Sequence, residues 1–194
     1  GIIYSTVDDK YVVKLYKKES ELKNKKKLKK LNWLLGIDYP DQFIKPLDII
    51  SSPYIGYVMK KVKGHISLNK MLIPNREMSF SDWYNNSTGG LYKRLLLGQK
   101  IAIQFANLHK KNLAYCDLSG NNILINENID VNSVCMIDID NIYIPGADEV
   151  NVLGTSRYMA PEILARQLDP DIFTDSYSLA VILFELLKAG HPYR

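Results

Sequence analysis

Two short apolar segments, each next to a group of polar and acidic side chains, constrain the fold of this chain most. The first begins at Ile123 and follows a polar loop that holds Asp117 and Asn122 five positions apart. The second runs from Val134 to Ile137 and ends in the triplet Asp138-Ile139-Asp140. Phosphoryl transfer needs one carboxylate near a hydroxyl nucleophile, together with a carboxamide and a second carboxylate to hold a metal. The pattern therefore predicts a phosphoryl-transfer site beside two short strands.

Composition limits the class of protein. With 194 residues, of which 46% are hydrophobic, the chain can bury the core of one domain or of two small lobes. The net charge of +4 is concentrated in Lys23–Lys30, which we interpret as a solvated helix face and not as a nucleic-acid patch. Cys116 and Cys135 cannot form a disulfide framework. No apolar leader opens the chain, and no apolar run approaches the ~20 residues that span a bilayer. We therefore expect a cytoplasmic protein without a membrane segment.

The first third of the chain is predicted to form strands around one helix. The strand segments are rich in β-branched and aromatic residues and are separated by turn formers; they are Ile2–Tyr4, Tyr11–Tyr16, Ile44–Ile50 and Tyr54–Val62. Ser20 offers a helix N-cap, and Glu21, Leu28 and Leu35 recur at heptad spacing, so we expect these three to share one helix face. Pro40 prevents that helix from continuing.

From Leu68 onward the sequence favours helix. The segments 91–108 and 174–187 contain good helix formers and no proline. The two short strands beside the acidic groups lie between them. A small β-rich part is thus predicted to lead into a larger helical part, with a linker around Val62–Gly64.

Three motifs resemble those of one known family. Asp117–Leu124 is similar to the D-L-x-x-x-N-I-L catalytic loop of protein kinases, and Gly154–Glu162 resembles the end of their activation segment, including the A-P-E triplet. Asp175–Leu179 resembles the start of the helix whose Asp supports the catalytic loop. The resemblance implies an α+β, bilobal protein-kinase-like fold. It has a small β-rich N-lobe with the hinge at 1–62, which lacks the family's first strand, and a larger α-helical C-lobe at 63–194.

The same resemblance implies the catalytic residues. Asp117 would orient a substrate hydroxyl and accept its proton, Thr155 would align Asp117 with the substrate segment, and Asn122 and Asp138 would bind Mg²⁺. Lys14 ends a strand similar to the V-A-I-K strand and would contact the α- and β-phosphates of ATP. We expect its ammonium to pair with Glu21 on the following helix, with Glu19 as the alternative.

The resemblance also implies a nucleotide pocket. Gly1 and Ile3 resemble the closing part of the glycine-rich loop, and Met59 resembles the gatekeeper that precedes the hinge residues Lys61 and Val62. Leu124, at the end of the catalytic-loop motif, completes the expected cofactor-binding set. The implied cofactors are ATP and Mg²⁺, and the implied partner is a protein substrate.

Three positions depart from the family pattern. Cys116 replaces the arginine that receives an activation-loop phosphate, Ser119 replaces a lysine that contacts the γ-phosphate, and Asp140 replaces the glycine of D-F-G. Asp140 has two open interpretations, a further metal ligand or a solvated acid. The variant triplet resembles a divergent bacterial and phage branch, and the chain resembles a kinase domain trimmed at both ends. The alternatives to an active protein kinase are a pseudokinase that binds nucleotide and a small-molecule kinase on the same fold.

Overall fold

A four-stranded antiparallel sheet with strand order β1-β2-β4-β3 forms the first part of the computed structural model, which describes residues 1–126, 134–143 and 154–193. Its strands are β1 (Ile2–Ser5), β2 (Tyr11–Leu15), β3 (Pro46–Ile50) and β4 (Gly56–Lys60), so each predicted strand segment is confirmed. Directly opposite residues in antiparallel strands face the same side. Lys14 therefore shares one sheet face with Ile3 on β1 and Tyr57 on β4.

Helix α1 (Glu21–Leu35) packs on this sheet, but not through the heptad face that the sequence predicted. Leu31 and Leu34 are fully buried and Leu28 packs beside them, whereas Glu21 and Leu35 are exposed. The buried stripe repeats every three residues. At 100° per residue, Glu21 lies roughly 80° from the centre of that stripe. The face shared by Glu21, Leu28 and Leu35 is therefore not the face that packs on the sheet, and the Glu21 side chain is exposed.

The second part of the chain combines a small sheet with helices. Strands β5 (His65–Ser67), β6 (Ile123–Asn126) and β7 (Val134–Met136) form an antiparallel sheet. The helices are α2 (Asn69–Leu72), a π-helical turn (Asp82–Ser87), α3 (Gly90–His109), α4 (Pro161–Leu164) and α5 (Ile172–Lys188). The two predicted strands and the two predicted long helices are confirmed, and the sequence did not predict the third strand, β5. Helix α5 begins two residues earlier than predicted, because the side chains of Asp171 and Thr174 form a capping box.

The two parts meet in one hydrophobic core. The backbone N–H of Ile44 donates to Met136 O at 2.9 Å, and the N–H of Met136 donates to Gln42 O at 2.8 Å. These bonds join the loop before β3 to strand β7. The direct connection runs through residues 61–64, between β4 and β5, and the predicted division between 1–62 and 63–194 lies within it. That division stays a prediction.

A buried arginine ties the helical part together. The Arg94 guanidinium, on α3, donates to Met71 O and Leu186 O at 2.6 Å each, and to Thr88 Oγ1 at 2.8 Å. Its central carbon lies 4.2 Å from the centre of the Tyr84 ring. Burial lowers the pKa of Arg94. One cation thus connects α2, the π-helical turn and α5.

We expect Arg94→Met to lower the free energy of unfolding by about 3 kcal/mol, because it leaves two buried carbonyl groups without their donor. Chemical denaturation followed by circular dichroism measures this change. Arg76→Met, at an exposed loop position, is the matched control and should change the value by less than about 0.5 kcal/mol. Equal values for both variants would contradict the structural role of Arg94.

Candidate active site

Asp117 lies in the loop between α3 and β6, and three side chains orient its carboxylate. Thr155 Oγ1 donates to Oδ1 at 3.0 Å, while Asn122 Nδ2 and Asn141 Nδ2 each donate to Oδ2 at 3.0 Å. Burial raises the pKa of Asp117, and the hydrogen bonds from Thr155 and Asn122 oppose that rise. A fixed carboxylate with a raised pKa is suited to accept a proton. The structure thus brings Asp117, Asn122 and Thr155 together, as the sequence predicted.

Helix α5 holds the backbone of this loop. The Asp175 carboxylate is almost fully buried and accepts the N–H of Tyr115 at 2.6 Å and that of Cys116 at 2.9 Å. His109 Nε2 lies 3.1 Å from the same carboxylate. Cys116 has a left-handed φ of 70°, which these two backbone bonds stabilise. The predicted support of the loop by Asp175 is confirmed.

Asp138 and Asn122 lie on neighbouring strand ends. The N–H of Ile137 donates to Asn122 O at 3.0 Å, directly before Asp138. Since the side-chain nitrogen of Asn122, Nδ2, is bonded to Asp117, its side-chain oxygen, Oδ1, is the atom that can face a cation. Asp138 Oδ1 is buried and has no partner with hydrogen-bond geometry among the described residues, although it lies 3.2 Å from Lys14 Nζ. One carboxylate and one carboxamide fit Mg²⁺, which keeps several waters and takes further ligands from phosphates.

The described residues contain no cluster of three or more His, Cys, Asp or Glu side chains that could hold a metal by themselves. Mg²⁺ typically takes one or two protein carboxylates and completes its coordination with water and nucleotide phosphates.

The Lys14 ammonium lies between two acidic side chains. Its Nζ is 2.9 Å from Asp140 Oδ1 and 3.2 Å from Asp138 Oδ1. Burial lowers the pKa of Lys14, but the charges of Asp140 and Asp138 outweigh burial and leave the pKa above its ordinary value. Lys14 is therefore a cation at the place where Asp138 would hold a metal.

Asp140 is the least expected member of the site. Tyr16 Oη donates to its Oδ2 at 2.6 Å and Tyr57 Oη donates to its Oδ1 at 3.1 Å. Burial raises the pKa of Asp140, but the Lys14 charge and these hydrogen bonds outweigh burial and lower it. Burial and the negative charge of Asp140 raise the pKa of both tyrosines, which keeps them as donors. Of the two interpretations left open by the sequence, a solvated acid is excluded.

The structure does not bring Glu21 to Lys14. The Glu21 side chain is 84% exposed and pairs with Lys25 at 2.8 Å, one turn along α1. The alternative, Glu19, pairs with Lys27 at 3.0 Å. Glu21 lies in the first turn of α1 and off its buried face, so its carboxylate faces solvent. The predicted pairing is therefore absent, and Asp140 lies where the sequence placed a helix-borne acid.

Gly1, Ile3 and Met59 line the sheet face that carries Lys14. A Cβ on Gly1 would lie 2.8 Å from Leu15 O and 3.7 Å from Lys14 Cε, so only glycine allows this close approach. Ile3 pairs directly with Lys14 and is 59% exposed. Met59 is buried opposite Val12, two residues before Lys14 and therefore on the same face. Their predicted contacts with a nucleotide stay predictions.

Lys61, Val62 and Leu124 occupy the segments expected around the adenine. The backbone N–H of Lys61 donates to Lys10 O at 2.9 Å, so that donor is already used inside the protein. Val62 follows it in the connection between β4 and β5. Leu124 is half-buried on β6, where it pairs with Ser67 and Cys135. Of the contacts expected from these three residues, the structure does not favour a hydrogen bond from the Lys61 backbone N–H to the adenine, because Lys10 O already accepts from that N–H.

Sequence reasoning missed Asn141 and the tyrosine pair around Asp140. Alternation along a strand provided a signal for Tyr16, since it lies two residues after Lys14 and must face the same side. No local pattern indicated Tyr57, which reaches the site through the pairing of β2 with β4. Asn141 follows the acidic triplet directly, and no sequence pattern indicated a role for it.

The end of the activation segment is anchored on α5. The buried Glu185 carboxylate accepts Tyr158 Oη at 2.7 Å and pairs with Arg157. Just before this anchor, Gly154 has a φ of 111°, and a Cβ there would lie 2.5 Å from Cys116 O. Glycine at this position lets Thr155 approach Asp117.

We expect Gly154→Ala to lower the melting temperature by several degrees, because the new methyl group collides with the Cys116 carbonyl. Gly64→Ala is the matched control: Gly64 also has a positive φ, but a Cβ there meets nothing within 4 Å. Thermal unfolding of both variants separates backbone strain from collision. A smaller shift for Gly154→Ala than for Gly64→Ala would contradict the close packing of this segment on the catalytic loop.

Comparison with known proteins identifies the family. The family model described as the protein kinase domain matches residues 2–194 of this chain. The chain is 29% identical over 161 residues to the serine/threonine-protein kinase dkf-2 of Caenorhabditis briggsae, covering 81% of the chain and 12% of that protein. It is 29% identical over 186 residues to the calcium-dependent protein kinase 6 of Plasmodium berghei, covering 94% of the chain and 11% of that protein. It is 25% identical over 185 residues to the human death-associated protein kinase 2, covering 81% of the chain and 49% of that protein.

The chain thus spans half or less of the length of each of these relatives. Within the part of the chain that the structure describes, no helix is long and apolar enough to cross a membrane. The match to the family model extends over nearly every residue, and the site geometry contains the family's catalytic loop, its activation segment and its supporting helix. The chain belongs to the protein kinase domain family.

Proposed function

We propose that this chain is the catalytic part of an ATP- and Mg²⁺-dependent serine/threonine protein kinase. The observation that supports this proposal best is the Asp117 carboxylate. It is held by Thr155 and Asn122 in one site with the Lys14 cation and the Asp138 carboxylate. These are the groups that phosphoryl transfer requires, namely a proton acceptor, a phosphate clamp and two metal ligands.

Asp117 acts on the nucleophile. Its carboxylate accepts the proton of the substrate hydroxyl while that oxygen forms a bond to the γ-phosphorus of ATP. The bond between the γ-phosphorus and the bridging oxygen breaks, and ADP keeps that electron pair. Thr155, which contacts Asp117 Oδ1 at 3.0 Å, ties the activation segment to the acceptor and so positions the substrate chain.

Lys14, Asn122 and Asp138 act on the nucleotide. The Lys14 ammonium would bind the α- and β-phosphates, and the side-chain oxygens of Asn122 and Asp138 would hold the metal. Mg²⁺, when bound, supplies positive charge that offsets the charge developing on the phosphates. Val62 offers its backbone to the adenine, and Met59 and Leu124 line the pocket. Asn122 bonds to Asp117 as well and couples the metal site to the proton acceptor.

A pseudokinase is the second candidate, and one observation favours it. Lys14 is paired with two carboxylates, Asp138 and Asp140, which compete with phosphates for its charge. Such a protein would bind nucleotide without transferring phosphate. The intact set of Asp117, Asn122 and Asp138 favours the active enzyme.

We place the protein in the cytoplasm, where its two cysteines remain thiols. Cys116 and Cys135 form no disulfide with each other, which agrees with a reducing compartment. The expected partners are ATP and a protein substrate. We expect the lysine-rich face of α1 to be solvated and not to bind nucleic acid.

Asp117→Asn should reduce kcat by about 10²–10⁴ because it removes the proton acceptor. Transfer of labelled γ-phosphate from ATP-Mg²⁺ to a generic protein substrate measures the effect. Asp41→Asn, at an exposed loop position, is the control for the change of charge and should retain full activity. A wild-type rate for Asp117→Asn would reject Asp117 as the base. ATP binding without transfer by the wild type would support the pseudokinase.

Removal of the metal with EDTA should abolish transfer, and added Mg²⁺ should restore it. In Asp138→Asn, the half-maximal Mg²⁺ concentration should rise by about 10-fold or more, because a neutral amide is a weaker ligand than a carboxylate. A titration of activity against free Mg²⁺ gives this value for both proteins. An unchanged Mg²⁺ dependence would show that Asp138 is not a ligand.

A further inference from the structure

We infer that Asp140 is the positioning residue that holds the Lys14 ammonium for phosphate binding, in place of an acid on helix α1. This inference rests on the proposed function, since it concerns the alignment of Lys14 for phosphoryl transfer. Asp140 itself contacts neither reacting atom in this assignment. It acts through Lys14.

Two donors satisfy each oxygen of the Asp140 carboxylate. Lys14 Nζ lies 2.9 Å from Oδ1 and 3.1 Å from Oδ2. Tyr57 Oη donates to Oδ1 at 3.1 Å and Tyr16 Oη donates to Oδ2 at 2.6 Å. The Asp140 side chain is only 11% exposed. A buried carboxylate with this set of donors is fixed in direction and position, and so is the ammonium bonded to it.

The sheet presents all three donors on one face. Lys14 and Tyr16 are two positions apart along the extended chain of β2 and the residue after it, and Tyr57 is the direct partner of Lys14 on β4. Tyr57 is fully buried, and its ring centre lies 5.9 Å from Lys14 Nζ. The sheet is therefore built to receive one carboxylate from the C-terminal part of the chain.

Helix α1 offers no competing acid. Glu21 is the one acidic residue in Glu21–Leu35, and its side chain faces solvent and pairs with Lys25. A cation of α1 lies beside the cluster, since Lys27 Nζ is 4.4 Å from the centre of the Tyr16 ring. A helix with this charge cannot supply the counter-ion of Lys14, and the acid in the triplet can.

The position of Asp140 also brings the Lys14 ammonium into contact with Asp138. Asp140 is two residues after Asp138, and Lys14 Nζ touches both carboxylates. The ammonium is thus held beside the metal ligand without any contribution from α1. Preorganised contacts of this kind reduce the reorganisation that binding and reaction require. We therefore expect the alignment of Lys14 to be independent of the position of α1.

The experiment is a double-mutant cycle of Asp140→Asn and Lys14→Met, measured by thermal unfolding and by ATP-Mg²⁺ kinetics. Lys14→Met should lower the melting temperature by about 4 °C, since it leaves a buried carboxylate without its cation. Adding Asp140→Asn should recover at least half of that loss. Asp140→Asn alone should lower kcat by about 10- to 100-fold and change KM for ATP by less than about 3-fold. The double variant should be no slower than Lys14→Met alone.

Asp38→Asn is the control, because it removes a carboxylate that is 91% exposed and pairs with Lys111. Additive losses in melting temperature or kcat would overturn the inference, since they would give Asp140 a structural role separate from Lys14. An equal loss of kcat from Glu21→Gln would also overturn it by returning the counter-ion to α1. Absence of phosphoryl transfer in the wild type would reject the proposed function, while the thermal cycle, which needs no substrate, would still confirm or overturn the ion pair.

Discussion

The ammonium of Lys14 is the interaction on which the candidate site depends most. It extends from the N-terminal sheet to two carboxylates on the other part of the chain, Asp138 and Asp140. Without it, three acidic side chains of this site, these two and Asp117, would lie close together without a compensating cation. Burial makes such a charge imbalance costly. The same contact joins strand β2 of the N-terminal sheet to the segment that follows β7.

A second buried carboxylate has a similar role below the catalytic loop. Asp175 accepts two consecutive backbone N–H groups and so holds the loop in a conformation that includes a left-handed residue, Cys116. The loop carries Asp117 at a fixed place, and Thr155 and Asn141 then reach it from later segments. Helix α5 thus fixes the backbone of the loop that holds Asp117. A fixed position of this kind is what preorganisation of an active site requires.

Much of the fold and part of the site could be predicted from the sequence. Strands and long helices followed from local composition, Asp117 and Asn122 followed from one contiguous motif, and Thr155 followed from a second motif. The structure differs where contacts are not local. Heptad spacing predicted that Glu21 shares a helix face with Leu28 and Leu35, but the buried residues of α1 are Leu31 and Leu34. Asp140 appeared ambiguous because its partners, Tyr16 and Tyr57, come from strands more than 80 positions away, and no local rule links them.

The departures from the family pattern take on a different meaning once these contacts are known. The acid that stands in place of glycine at position 140 pairs with Lys14, the residue that we propose binds the nucleotide phosphates. The single acid of α1, Glu21, pairs with its neighbour Lys25 and not with Lys14. Lys14 thus pairs with an acid of the triplet 138–140, whereas the family resemblance implied a pair with an acid on α1.

A crystal structure of the protein with Mg²⁺ and a non-hydrolysable ATP analogue tests this account most directly. The account predicts a metal bound by Asn122 and Asp138, with Lys14 Nζ on the α- and β-phosphates and still bonded to Asp140. A nucleotide bound without metal at those two residues, or a Lys14 side chain paired with Glu21, would contradict it.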